Sequence, residues 1–135
     1  MNARRGHESQ RHLDAKRHIG QIFDAPRWSV FYELHQADIL VINHDSHVLI
    51  AIEAESTPRN VIRNITRNFQ NGCDAVATVA LNERYHSQIE TKIQTYVPDE
   101  RQRHVKLFGY DEQSLRELRF WILHICQIQT AIKST

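Results

Sequence analysis

Ala37-Asp38-Ile39-Leu40-Val41-Ile42, a polar Asn43-His44-Asp45-Ser46-His47, then Val48-Leu49-Ile50-Ala51-Ile52-Glu53-Ala54-Glu55 is the stretch that decides the fold. Two short runs rich in branched apolar residues flank a polar connection, which is the pattern of a β-hairpin. Carboxylates form strands poorly, so acids at the ends of such runs need a compensating partner. A divalent cation is one, because hard cations take oxygen ligands and offset the mutual repulsion of the acids.

The register decides whether the acids meet. If Asn43 and Val48 close a four-residue loop over positions 44 to 47, then Ile42 faces Leu49, Leu40 faces Ala51 and Asp38 faces Glu53. Glu55 shares that face, since side chains repeat every two residues along a strand. The opposite face is then Ala37, Ile39 and Val41 against Val48, Ile50, Ile52 and Ala54, all apolar and suited to packing under helices. A slip of one residue puts Asp38 opposite Ile52 and sends Glu53 to the other side of the sheet.

Working outward, Glu8 to about Phe23 is predicted as a helix with His12, Ala15, Ile19, Ile22 and Phe23 on its apolar side. Trp28 to Leu34 reads as a strand. After Glu55, Thr57 is an N-cap candidate with Pro58 at the first helical position. Val61, Ile62, Ile65 and Phe69 form the buried stripe of that helix, and Gly72 stops it. Asp74 to Leu81 is apolar enough for a central strand. A helix from about Glu83 to Tyr96 presents Tyr85, Ile89, Ile93 and Tyr96. His104 to Tyr110 reads as the last strand, and Asp111 caps a long final helix. The middle of that helix, Leu118 to Ile128, is apolar on more than one side, which implies burial on two sides or association. The expected fold class is α/β (α+β), one domain over residues 1–135, in the order α-β-β-β-α-β-α-β-α. Its core is a mixed sheet of about four to five strands flanked by helices.

A formal net charge of +1 over 135 residues excludes a strongly basic protein, so any nucleic-acid contact must come from local patches. Cys73 and Cys126 are too few for a disulfide framework, and a reducing, cytoplasmic setting is the default expectation. The N-terminus carries no apolar signal core, and no apolar run reaches membrane-spanning length; a membrane partner is not expected.

Asp38, Glu53 and Glu55 are the metal-ligand candidates. Mg²⁺ or Mn²⁺ held by one or two of them would leave coordination positions for a phosphate oxygen and a water. The competing reading makes them solvated strand ends. Downstream, Arg59-Asn60, Arg63-Asn64 and Arg67-Asn68 repeat with a period of four, so the arginines fall on one helical stripe with the asparagines beside it. Guanidinium groups bind phosphate bidentately and amides add directed donors. A row of like charges calls for a negative partner, either nucleic-acid backbone or the acids just upstream; a solvated helix face is the third possibility. His44 and His47 share the hairpin loop, but two ligands fall short of a zinc site.

A helix with an early Glu, a strand, an Asp-bearing strand, a tight turn, an apolar strand ending in acid-x-acid, then helix and strand resembles the PD-(D/E)xK nuclease superfamily, the restriction-endonuclease-like fold. The resemblance spans most of positions 8 to 81 and rests on a short, degenerate motif. It places Asp38 at the motif Asp, Glu53 at the second acid and Glu55 at the Lys position, with Glu8 as the helix-one acid that assists the metal. It implies a Mg²⁺- or Mn²⁺-dependent endonuclease acting on DNA, with Arg59, Arg63, Arg67, Asn64 and Asn68 as nucleic-acid contacts. Cleavage of both strands implies a homodimer, and the final helix is the candidate interface. Two departures stand out. Ala37 replaces the usual Pro. Glu55 replaces the Lys that orients the water and stabilises developing charge, and an Arg of the next helix is the candidate substitute. Two rival readings follow from that replacement and from the final helix. One is a catalytically inactive module of the same fold that binds nucleic acid or a protein; the other is a regulatory subunit docked through the last helix.

Overall fold

The computed structural model describes residues 9–24 and 26–134. Five strands form one mixed sheet in the spatial order β1-β2-β3-β4-β5. They are β1 (Trp28–Tyr32), β2 (Ile39–Asn43), β3 (Leu49–Glu55), β4 (Ala75–Ala80) and β5 (Val105–Phe108). The first three make an antiparallel meander, and β4 and β5 continue it in parallel. The helices are α1 (Gln10–Gly20), α2 (Val61–Gln70), α3 (His86–Tyr96), the short α4 (Asp99–Gln102) and α5 (Glu112–Ser134). The expected mixed α+β architecture is therefore present, with α4 and two 3₁₀ turns, Leu34–Gln36 and Glu83–Tyr85, added to it.

The β2–β3 register pairs Ile42 with Leu49, Leu40 with Ala51 and Ile39 with Ile52. This is the in-phase alignment, and the loop enforces it. Asn43 N–H donates to Val48 O (3.1 Å) and His47 N–H to Asn43 O (2.8 Å). The Asn43 side-chain oxygen accepts from the N–H groups of Asp45 and Ser46 and from the Ser46 hydroxyl. His47 turns the chain through a left-handed conformation at φ 59°.

Two apolar layers cover the sheet. On one face Ile39, Val41, Val48, Ile50, Ile52 and Ala54 pack beneath Ala15 and Ile19 of α1 and Leu115, Leu118, Ile122 and Ile125 of α5. On the other, Leu40, Ala51, Val76 and Val105 lie under Val61 and Ile65 of α2 and Ile89 and Ile93 of α3. Ala37, expected with the first group, packs with the second. The chain between β1 and β2 bends through left-handed residues Glu33, His35 and Gln36 (φ 58°, 55° and 69°), so strand alternation does not extend back to position 37.

Several boundaries differ from the sequence expectation. Ser9 caps α1, its side chain accepting from His12 N–H, and Glu8 lies outside the described residues. Strand β1 ends at Tyr32 instead of Leu34. Helix α2 begins at Val61 after Asn60, while Thr57 accepts from Arg59 N–H within the preceding turn. Pro58 is thus outside the helix, and Arg59 is not on the α2 stripe. Tyr96 is exposed because α3 ends there and Val97 makes the buried contact. Helix α5 does carry apolar residues on more than one side: Leu118 and Ile122 are buried, Trp121 lies tilted against Phe108 (ring centroids 5.8 Å apart), and Phe120 projects outward at 78% exposure with Ile128 also exposed. No helix is long and apolar enough to cross a membrane among the described residues.

Because Asn43 is buried and its side-chain oxygen serves three donors, Asn43→Ala leaves those donors without their acceptor. We expect a loss of about 1–3 kcal/mol in urea denaturation; a variant as stable as the parent would show that other contacts fix the hairpin.

Candidate functional site

Asp38 immediately precedes β2, and Glu53 and Glu55 occupy alternate positions at the end of β3. The hairpin register brings the first two together. Asp38 N–H donates to Glu53 Oε2 (3.3 Å), and Ala54 N–H donates to Asp38 Oδ2 (2.8 Å). Glu53 and Glu55 alternate with Ile52 and Ala54, which face α1 and α5, so both acids project toward α2. That face is covered, which makes the solvated strand-end reading incompatible with the structure: Glu53 is 2% and Glu55 8% exposed.

Helix α2 answers the acids residue by residue. Asn68 donates its amide to Glu53 Oε2 (2.9 Å), and Asn64, one turn earlier, donates to Glu55 Oε2 (2.8 Å). Arg67 reaches Glu53 Oε2 at 3.5 Å, donates to Asn64 Oδ1 (3.0 Å) and clamps Gln36 O (3.0 Å). Positions 64, 67, 68 and 71 follow i, i+3, i+4 spacing, so one helical stripe supplies all of these donors. Asn71 adds a bond to His35 O. From the opposite layer, His12 of α1 donates through Nε2 to Ala54 O (2.8 Å), which fixes a proton on that nitrogen, and lies 3.5 Å from Asp38 Oδ2.

The residues singled out from sequence therefore separate into two groups. Asp38, Glu53, Glu55, Asn64, Arg67 and Asn68 converge. Arg59 and Arg63 are exposed, and Arg59 precedes the helix. Asn68 is buried with its amide on Glu53, so it serves the acid cluster from within. His44 bonds Ser29 across the β1–β2 edge (2.6 Å) and His47 is exposed at the turn.

Beside the cluster, Gln36, Arg63, Thr66, Arg67 and Gln70 line an open cleft of about 510 Å³. Its walls carry two guanidinium groups and three neutral polar side chains, with no carboxylate. Sequence reading missed Gln36, Thr66 and Gln70. Thr66 and Gln70 lie three and seven residues after Arg63, a spacing that places them on the same helical side. The contribution of Gln36 depends on the left-handed bend and has no sequence signature.

Burial dominates the electrostatics. Desolvation, reinforced by the nearby Asp38 charge and by Glu55, pushes Glu53 from 4.5 up to about 8, against the lowering effects of Asn68 and Arg67. Glu55 is also raised, first by burial, with Asn64 opposing. Two buried polar atoms among the described residues lack a hydrogen-bond partner, Arg67 Nε and Thr78 Oγ1. Thr78 is the β4 neighbour of Glu53 in the parallel register. A buried hydroxyl left unmatched is unfavourable by about 1–3 kcal/mol.

Asp38, Glu53 and Glu55 fit a hard cation by donor chemistry. Their hydrogen bonds fall on one oxygen each, Oδ2, Oε2 and Oε2, leaving the second oxygen of each without a bond from the described residues. No group of three His, Cys, Asp or Glu side chains is arranged as a ready cage among the described residues. Mg²⁺ needs none, since it uses one or two carboxylates and keeps several waters. No family model, no curated protein and no solved structure matches the chain.

The raised Glu53 pKa has a thermodynamic consequence. Between 4.5 and about 8 the folded chain retains a proton that the unfolded chain releases. The associated stability is complete below 4.5 and is lost as pH rises through about 8. Thermal unfolding followed by circular dichroism across that window should show the melting temperature falling with pH, and Glu53→Gln should flatten the fall and melt higher at the alkaline end. Parallel profiles for the two proteins would contradict the assignment.

Proposed function

We propose that the chain is a metal-dependent nuclease-like domain that hydrolyses DNA phosphodiester bonds. The observation that carries this reading is the adjacency of a buried carboxylate cluster to a carboxylate-free cleft with two arginines, joined through Arg67. A phosphodiester needs both halves: acids to hold a cation and cations to hold its phosphate. The reading also draws on the resemblance to the PD-(D/E)xK superfamily, which rests on the element order and on Asp38, Glu53 and Glu55.

Asp38 and Glu53 would hold Mg²⁺ or Mn²⁺, and such an ion polarises the phosphoryl oxygen and acidifies a bound water. Glu8, if it assists, does so from outside the described residues. Glu55, raised by burial, is the group to accept a proton from the attacking water. Arg67 takes the part of the missing Lys, its guanidinium placed between Glu53 and the cleft. Arg63, with Thr66 and Gln70, binds the phosphate from the helix surface, and Arg59 contacts the backbone farther out. If both strands are cut, the partner is a second copy on the exposed side of α5, around Phe120 and Ile132.

Two observations favour the alternative, a catalytically inactive module of this fold that binds nucleic acid or a protein. Amides of Asn64 and Asn68 already answer Glu55 and Glu53, and no lysine stands at position 55.

Incubating the protein with labelled single-stranded, duplex and branched DNA plus Mn²⁺ separates the two. The nuclease reading expects cleavage that chelation stops and that Asp38→Ala and Glu53→Ala each abolish. Arg67→Ala should lower the rate about a hundredfold, the loss typical of a deleted transition-state donor, whereas Arg63→Ala should chiefly raise KM. Binding without cleavage by the parent protein would leave the inactive module; cleavage that survives both acid substitutions would overturn the site.

A further inference from the structure

Strand β1 is an outer strand of the sheet, and its end and the turn that follows it expose large apolar side chains. Phe31 is 40% exposed, Leu34 40%, and Tyr32 between them 45%. Phe31 pairs with Leu40, which pairs with Ala51, and both belong to the apolar layer under α2 and α3. Directly opposed residues share a face, so Phe31 extends the acid-bearing face of the sheet to its open edge. Tyr32 points the other way, its hydroxyl against α1, where a Cβ on Gly20 would come within 2.0 Å of it.

The chain leaving Phe31 runs directly into the arginine cleft. Glu33, His35 and Gln36 hold left-handed conformations, an arrangement that costs about 1–3 kcal/mol per residue and persists only where surroundings enforce it. The enforcement comes from both layers: from α2 through Arg67 on Gln36 O and Asn71 on His35 O, and from α1 through Lys16 on the Glu33 carboxylate. Gln36 itself lines the cleft with Arg63 and Arg67. An exposed aromatic ring and a cleft lined by two guanidiniums, one of which also reaches Glu53, are thus tied to one short segment.

We infer that this edge is a binding surface for an unpaired nucleic-acid strand, with a base stacked on Phe31 and the adjoining phosphate in the Arg63–Arg67 cleft. Duplex bases are already stacked and leave no free face for Phe31, so an unpaired strand is the form that uses both features. Aromatic stacking with a basic groove is the general chemistry of single-strand binding and is tolerant of sequence. The inference rests on the nucleic-acid reading above and adds to it the form of the substrate.

Fluorescence anisotropy with a labelled oligothymidylate and a duplex of equal length, in the absence of metal, tests it. The parent protein should bind the single strand more tightly than the duplex. Phe31→Ala should weaken the single strand about tenfold, as expected for one lost stack, with little change on the duplex, and Phe31→Trp should restore binding. Arg63→Ala should weaken both forms. If Phe31→Ala binds as the parent does while Arg63→Ala is weakened, the stacking surface is overturned and the phosphate cleft stands. Equal affinity of the parent for the two forms would also overturn it. If the parent binds neither form, this inference and the nucleic-acid reading fall together.

Discussion

The contact between Asp38 and Glu53 is the constraint on which the rest of the molecule depends. It exists because the hairpin loop at residues 44 to 47 sets one register, and that register is held by Asn43 from both its backbone and its side chain. With a strand period of two, the alignment that buries Ile39, Val41, Ile50 and Ile52 against α1 and α5 also turns Glu53 and Glu55 to the α2 side. The apolar packing and the acid cluster are therefore one choice. A slip that separated the carboxylates would also expose the largest apolar layer to the polar donors of α2.

Burying these acids sets the electrostatics. Glu53 lies under α2, close to the carboxylates of Asp38 and Glu55, and among the described residues its partners are amides and the Arg67 guanidinium. Its raised pKa is the measure of an incomplete match, and so is the unpartnered hydroxyl of Thr78 beside it. Such a cluster is tolerated because the hydrophobic burial around it is large. Arg67 supplies part of that charge and at the same time lines the neighbouring cleft. Two chemically opposite surfaces thus share one side chain.

Much of this was legible in the sequence, for identifiable reasons. The two apolar runs and the polar connector specified the hairpin, and alternation along Leu49 to Glu55 assigned each side chain to a face. The four-residue period of Arg and Asn identified the helix that meets the acids. Periodicity alone could not say which partner each would take: Asn64 and Asn68 turned inward to carboxylates, whereas Arg63 stayed outside. Arg59 fell off the stripe because the chain needs residues 56 to 60 to turn from β3 into α2, and Pro58 sits in that turn. The left-handed bend at Glu33 to Gln36 had no signature, since none of these residues is glycine and tertiary bonds from α1 and α2 hold it. Both the displaced Ala37 and the cleft wall at Gln36 follow from that bend.

The proposed nuclease chemistry requires Asp38 and Glu53 to hold a cation inside the folded sheet. Calorimetric titration of the protein with Mn²⁺, beside Asp38→Asn, tests that claim without requiring a substrate. One saturable site in the parent, weakened at least about tenfold in the variant in line with the loss of a ligand, is the predicted result. No binding in the parent, or equal binding in both proteins, would contradict it.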